Sequence, residues 1–415
     1  MKRFGFILLA VAAMLTAMPA YGAVTWYVSR STGSNQNDGS REKPLQNIQK
    51  AIDLASPGDV IRVAEGNYFG LLNSGNIKID KGVSIIGGYS TDFSERNILV
   101  HRTYIQPSAA SNGTSSGQGT VQIAVMQAGT LVELDGLIMD RGNSVAYNPR
   151  GEGKPEGVES PMMQPIGTAG IGAPGVPESS VNTTETAIVY IQTGAKCDIT
   201  IRNCAFLNGP NFGITGSTAS TKIIIDNCIF VNIRMAAVQL RGTSPAINGE
   251  THFTRNTVLF TWSRLKDLGD MGYGFRFMPK MDSYLDRNII GCSIFSGLDR
   301  THLDTPPDKE AERVTTCENT LFFCNRQADL TLPGGGMFLR VKASDFGDVE
   351  QLARSGGNKE MTDASVFGGR INEAYLKGFL AATGAKGSMF ANHYPVEDAL
   401  KLFGAVPGYG AQIPE

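Results

Sequence analysis

Apolar side chains recur at every second position in short runs along much of this chain. In Phe212-Gly213-Ile214-Thr215-Gly216, Ala237-Val238-Gln239-Leu240-Arg241 and Gly274-Phe275-Arg276-Phe277, the alternating apolar set is Ile214, Val238, Leu240, Phe275 and Phe277. A strand sends successive side chains to opposite faces, so these residues point inward and Thr215, Gln239, Arg241 and Arg276 point outward. Further strands are read at residues 25–29, 60–63, 83–89, 131–138, 187–191 and 328–332. One stretch has another period. From Pro44 to Ala55, the residues Leu45, Ile48, Ala51, Ile52 and Ala55 share one helical face, which predicts a short helix.

A phrase built on asparagine punctuates the strands. It reads Arg202-Asn203-Cys204, Asp226-Asn227-Cys228, Arg255-Asn256-Thr257, Arg287-Asn288-Ile289 and Glu318-Asn319-Thr320, with the asparagines 24, 29, 32 and 31 residues apart. A period in this range, carrying strands and no long helices, means a stack of similar units sharing one core. The sequence therefore predicts an all-β parallel β-helix, a solenoid over residues 24–335. Asparagine suits a tight corner because it tolerates left-handed backbone and bonds nearby backbone groups. Stacked at ~4.8 Å per rung, the corner amides are expected to form a ladder. Cys204 and Cys228 follow equivalent asparagines and are expected as stacked neighbours, as buried thiols or as a disulfide.

Two regions depart from the repeat. Residues 141–186 are rich in Gly, Pro and Ser, and a loop of that length in a repeat protein is either functional or disordered; if ordered, it is expected to form a wall over one side of the solenoid. Beyond Gly334-Gly335-Gly336 the period changes again. Residues 349–354, 371–382 and 396–403 suggest short helices, so 336–415 is read as a C-terminal segment that caps or lies along the solenoid.

Residues 1–23 have the charged, apolar and small-residue order of a secretory signal peptide, with Lys2-Arg3 first and Ala23 last. The expected destination is the periplasm, the cell surface or the outside of the cell. No later stretch looks transmembrane. Loss of Lys2 and Arg3 leaves 35 basic residues against 39 acidic ones, a net charge of −4. With no basic tail or stripe, nucleic acid is excluded as a partner class. Six cysteines in an exported chain can pair, but the pairing is not readable.

The run Asp38-Gly39-Ser40, Pro44, Ile48 and Ala51, then Pro57-Gly58-Asp59-Val60-Ile61 and Gly66-Asn67-Tyr68, resembles the amino-terminal portion of secreted right-handed β-helix proteins of the pectate-lyase-like class. Gly87-Gly88-Tyr89 with Phe93 and Arg96-Asn97 fits the same class. The resemblance covers roughly residues 25 to 100, and the repeats extend the architecture to about 335. It implies a right-handed solenoid whose open end is capped by the short helix, where bare strand edges would otherwise be exposed. It implies an activity less sharply, since the class holds lyases, hydrolases, epimerases and non-catalytic surface proteins.

The outward row supplies the candidate chemistry. Arg241, Arg276, Lys280 and His302 are the candidate catalytic residues, and Thr215, Gln239, Asp299 and Arg300 the candidate substrate-binding ones, with Asp267, Asp270 and Asp304 nearby. Such a face suits β-elimination on an acidic polysaccharide, in which a cation neutralises the uronate carboxylate and acidifies the adjacent proton. A base then removes that proton; by resemblance it is Lys, Arg or His. A hydrolase needs two carboxylates flanking the bond, for which Asp299 and Asp304 are the available pair. The aspartate clusters of calcium-dependent pectate lyases and of polygalacturonase-like hydrolases are not evident, nor is the Asp-Pro-His-Asp motif of mannuronan epimerases. No metal ligand is assigned and no cofactor is fixed, with calcium the one candidate the resemblance brings. The expected molecule is a monomer, either a polysaccharide lyase or a non-catalytic surface or glycan-binding β-helix.

Overall fold

Each turn of this chain visits three sheets in the same order and then starts again one rung further along. The computed structural model describes residues 22–69, 77–106, 120–140, 187–209, 211–262, 272–301, 313–334, 337–368, 371, 376 and 394–414. Among them are three sheets of nine strands each. The first sheet holds Asp198–Arg202, Lys222–Asp226, Gly249–Thr254 and Met281–Asp286 at its centre, the second Ala205–Gly209, Ile229–Ile233, Thr257–Thr261 and Ile289–Ser293. The third holds Ala187–Thr193, Phe212–Thr218, Ala236–Gly242, Tyr273–Phe277 and Ser296–Asp299. All solenoid pairings are parallel, as in Ile201↔Ile225↔Phe253↔Leu285. The fold is a right-handed parallel β-helix.

Inward side chains from the three sheets meet in one core. Phe206 stacks on Phe230 with centroids 4.4 Å apart and planes 4° apart, and Phe253 and Phe275 continue the contact at 5.9 and 5.2 Å. Each such aromatic contact adds about 0.5–1.5 kcal/mol beyond its burial. At the amino-terminal end the helix Ile48–Leu54 turns Ile48, Ala51 and Ile52 onto this core, so the face predicted from spacing is the buried one. At the other end, strand Met337–Val341 folds back antiparallel on Ala328–Gly334. The 3₁₀ turn Ala343–Asp348 then places Phe346 against Phe322, centroids 5.2 Å apart.

The pairing register corrects the repeat alignment at two positions. Ala205, Ile229, Thr257, Ile289 and Leu321 are the equivalent residues. The left-handed corner position is therefore filled by Asn203, Asn227, Arg255, Arg287 and Asn319, with φ between 48° and 56°. Asn256 and Asn288 lie one residue later, level with Cys204 and Cys228, and point into the solenoid with no exposure. There Asn256 Oδ1 accepts from Cys228 N–H at 2.9 Å, and Asn288 Oδ1 accepts from Asn256 N–H at 2.9 Å. Their Nδ2 groups donate to the Ile225 and Phe253 carbonyls, both at 2.9 Å. The inner position carries the longer ladder. The outer one is short: Asn203 Nδ2 donates to Asp135 at 2.8 Å, and Asn227 Nδ2 to Asn203 Oδ1 at 2.7 Å. A second ladder, Asp140–Asn208–Asn232, lines the corner between the second and third sheets, each amide 2.7 Å from the next.

All six cysteines are free thiols, five of them buried, so no disulfide joins Cys204 to Cys228. In the tail, residues 349–354 are turn and bridge rather than helix, and 372–375 and 377–382 lie outside the described residues. Val396–Leu400 is helical. Tyr394, Leu400, Leu402 and Phe403 cover the outer apolar face of the second sheet, including Leu207, Val231 and Leu259. Among the described residues, no helix is long and apolar enough to cross a membrane.

Candidate functional site

With the outer face of the second sheet covered by the tail, the outward row predicted from alternation lies on the third. Tyr190, Thr215, Gln239, Arg276, Asp299 and Thr331 are paired in register across six rungs. Thr215 Oγ1 donates to the Gln239 carbonyl at 2.8 Å. Arg276 is the centre of the row. Its Nε donates to Asp299 Oδ2 at 2.8 Å, its Nη1 to Gln239 Oε1 at 2.8 Å, and its guanidinium lies over the Tyr273 ring, 4.7 Å from the centroid. The Arg276 side chain is 12 % exposed and that of Asp299 is 1 %.

Asp299 is held from its other side as well. Oδ1 accepts from the Thr301 N–H at 3.1 Å, from the Thr301 hydroxyl, and from Thr331 Oγ1 at 2.9 Å. A carboxylate this deep is tolerated because both of its oxygens accept hydrogen bonds and a cation sits beside it. The pair fixes the guanidinium plane, and Tyr273 beneath it limits rotation. Among the described residues Nη2 has no hydrogen-bond partner. The arrangement can therefore present one fixed N–H edge to an anionic oxygen.

The other cations stand beside the middle of this row, toward the carboxy-terminal ends of its strands. Arg241 is half-buried opposite Ser217, two residues along its strand from Gln239, a step of about 7 Å. Lys280 forms the left-handed corner after Tyr273–Phe277, with φ 58°. The two are brought together by Gly242, where an added Cβ would lie 1.8 Å from the Lys280 carbonyl oxygen. Only glycine allows these rungs to approach so closely there.

Not every candidate reaches the face. Arg300 is 2 % exposed and donates to Thr315 Oγ1 and, at 3.2 Å, to the Gln351 carbonyl, so it is a corner residue beneath the tail. Asp299 is on the row but buried as the counter-ion of Arg276, and no free carboxylate results. His302, Asp267, Asp270, Asp304 and the segment 141–186 lie outside the described residues. The sequence reading missed Tyr273, Thr301 and Thr331. Thr331 carried a usable signal, since it alternates outward in Ala328–Leu332. Among the described residues, no three His, Cys, Asp or Glu side chains are grouped to hold a metal ion.

A search of curated protein sequences finds no match to this chain. Among solved structures it is similar to pectate lyase Pel9A, at 12 % identity over 83 % of this chain and 79 % of that one, with a TM-score of 0.43. It is also similar to a rhamnogalacturonan lyase, at 14 % identity over 74 % and 70 % of the two chains, TM-score 0.34. A lacto-N-biosidase from Eubacterium ramulus matches at 9 % identity over 82 % and 67 %, TM-score 0.25. The family model described as a protein of unknown function (DUF1565) matches residues 31–257, more than half of the sequence, and the chain belongs to that family.

Proposed function

We propose that this is an exported, carbohydrate-associated β-helix protein whose third sheet binds an acidic polysaccharide and cleaves it by β-elimination. The observation that carries this reading is the Gln239–Arg276–Asp299 row, a guanidinium held in place with one N–H edge left for an anion. In the proposed reaction Arg276 binds the uronate carboxylate and draws charge from the adjacent carbon. Two of its nitrogens are already held by Asp299 and Gln239, which suits holding a carboxylate in place. Arg241 or Lys280, beside the middle of the row, removes the proton. The electrons of the broken C–H bond form a ring double bond, and the glycosidic oxygen leaves with the bonding pair and takes up a proton.

A second reading is glycan binding without turnover, at the cell surface. It is favoured by the same ion pair, because Asp299 already balances the charge that Arg276 would use on substrate. The two readings separate in one assay. Mature protein is incubated with pectin, alginate and glycosaminoglycans, with and without calcium, and ultraviolet absorbance is followed for unsaturated sugar ends. A rise on one polymer is the expected result. No rise on any polymer from a folded sample, with binding retained, leaves the second reading.

A further inference from the structure

The corner between the second and third sheets changes its chemistry along the stack. Its left-handed position is filled in successive rungs by Asn208, Asn232, Phe260, Cys292 and Cys324, with φ between 49° and 62°. Register fixes the equivalence, because Leu207, Val231, Leu259, Gly291 and Phe323, each one residue earlier, pair in series. Side chains at this position meet those of the next rung: Asn232 Nδ2 donates to Asn208 Oδ1 at 2.7 Å. Cys292 and Cys324 take the same place in the last two full rungs and stand one above the other. Rungs are about 4.8 Å apart, within the ~4.4–6.8 Å Cα separation that a disulfide spans.

The remaining thiols are engaged elsewhere. Cys204 and Cys228 donate to the Arg202 and Asp226 carbonyls at 3.1 and 3.3 Å, and Cys317 to Asn358 Oδ1 at 3.6 Å. Cys197 Sγ lies 3.4 Å from Thr221 Oγ1. Among the described residues, Cys292 and Cys324 have no hydrogen bond at sulfur, so nothing holds either thiol away from the other. Their access differs: Cys324 is half-buried, Cys292 wholly buried. Burial raises the Cys324 thiol pKa, and the nearby Lys342 ammonium offsets part of that. Burial holds Cys292 well above the usual range. A reagent therefore reaches Cys324 first, and Cys292 reacts when the last rung opens.

We propose that Cys324 is a site of thiol–disulfide exchange, with Cys292 as its resolving partner, through which a small-molecule disulfide joins the last two full rungs covalently. The Cys324 thiolate attacks one sulfur of that disulfide, whose S–S bond breaks and releases one thiolate. The Cys292 thiolate then attacks the Cys324 sulfur, closing the Cys292–Cys324 bond and releasing the second reagent thiolate. Two protein thiols are oxidised, one reagent disulfide is reduced, and the two thiol protons end on the released thiols. Parallel stacking leaves the Cβ atoms at about the rung spacing, somewhat beyond the usual ~3.5–4.5 Å. Closing the bond thus draws the two corners together, and a dithiol should reverse it readily. Export, as proposed above, would carry the pair into an oxidising compartment, but the exchange depends on neither reading of the third sheet.

The test exposes the reduced full mature chain to oxidised glutathione in mild urea, alkylates the remaining thiols, and reads the digest by mass spectrometry. A Cys292–Cys324 linked peptide is expected, lost again on treatment with dithiothreitol, with Cys197, Cys204, Cys228 and Cys317 alkylated. Cys324→Ser, its fold checked by circular dichroism, should give neither the link nor a glutathione adduct. Cys292→Ala should stop at a glutathione adduct on Cys324. A chain that keeps all six thiols, or one that holds a lasting Cys324 adduct beside a free Cys292, overturns the proposal. So does a Cys204–Cys228 link formed as fast as the Cys292–Cys324 one, since stacking alone would then suffice.

Discussion

At the scale of single residues, the corner between the first and second sheets shows what a repeat does and does not reveal. The recurring asparagine is a real signal for the turn, but it occupies two adjacent positions in different rungs, one left-handed and one turned inward. Asn203 and Asn227 take the first, Asn256 and Asn288 the second. Arginine at the left-handed position hides the shift, because it carries no turn preference of its own. The inner asparagines make the sharper stability test. Asn288→Ala leaves the Asn256 N–H and the Phe253 carbonyl without their partners, and should destabilise by about 1–3 kcal/mol in urea unfolding. A neutral result would remove the inner ladder from the account of stability.

The candidate site was legible as a row but not as a constellation. Alternation put Thr215, Gln239 and Arg276 on one face, whereas the ion pair with Asp299 depends on a register across 23 residues that alternation cannot supply. Arg276→Ala is expected to abolish turnover on any polymer found to be cleaved. Asp299→Asn should lower both turnover and stability, since removing one partner of a buried pair costs about 3–5 kcal/mol. Turnover unchanged in Arg276→Ala would discard the proposed site. A different residue sets a pH dependence. Burial pulls the His101 pKa down, but hydrogen bonds to Glu65 and Glu95 outweigh it and leave the group raised. Its contribution to stability is then complete below the unfolded value of about 6.5 and disappears as pH rises through the higher folded one. The His101→Gln variant should melt below the wild type at pH 5.5 and match it at pH 9. An equal difference at both pH values would contradict that linkage.

At the scale of elements, the least legible part is the last. Helical periodicity after Gly336 is weak, and residues 394–414 find their places through backbone groups that no side-chain pattern announces. Asn227 Oδ1 accepts from the Gln412 N–H at 2.6 Å, and Asn208 Oδ1 accepts from the Tyr394 N–H at 2.8 Å. Each amide also donates to the carbonyl of the same tail residue, both at 3.1 Å. The tail thus fastens to an asparagine ladder at both edges of the second sheet and lays its apolar residues between them. Arg102, bonded to Glu397 through both guanidinium ends, adds a third fastening from the amino-terminal half. Deleting residues 394–415 would expose several side chains, each worth roughly 1.5–3 kcal/mol when fully buried. The truncated chain should melt well below the full one and bind a hydrophobic dye. An unchanged melting temperature would show that the tail is only draped there.

At the scale of the whole molecule, the solenoid's stability is a sum over rungs and the contacts between neighbours, and the cysteines report on it from within. Burial raises the thiol pKa of Cys317 to about 12 and those of Cys228 and Cys292 well above the usual range. Thiolate is the reactive form, so the five buried thiols should yield almost nothing to an aromatic disulfide reagent until a rung opens. The positions grade that opening. Cys317 and Cys324 lie in the last full rung, followed only by the two-residue parallel strand Lys359–Glu360, whereas Cys204 and Cys228 lie mid-stack with rungs on both sides. If the stack frays from its carboxy-terminal end, labelling in denaturant below the main transition should reach Cys317 and Cys324 first, as mass spectrometry of the digested chain would record. Simultaneous labelling of all six at every denaturant concentration would instead mean that the rungs open as one cooperative unit. The shared aromatic core from Phe206 to Phe275 would then couple the rungs more strongly than a nearest-neighbour stack requires.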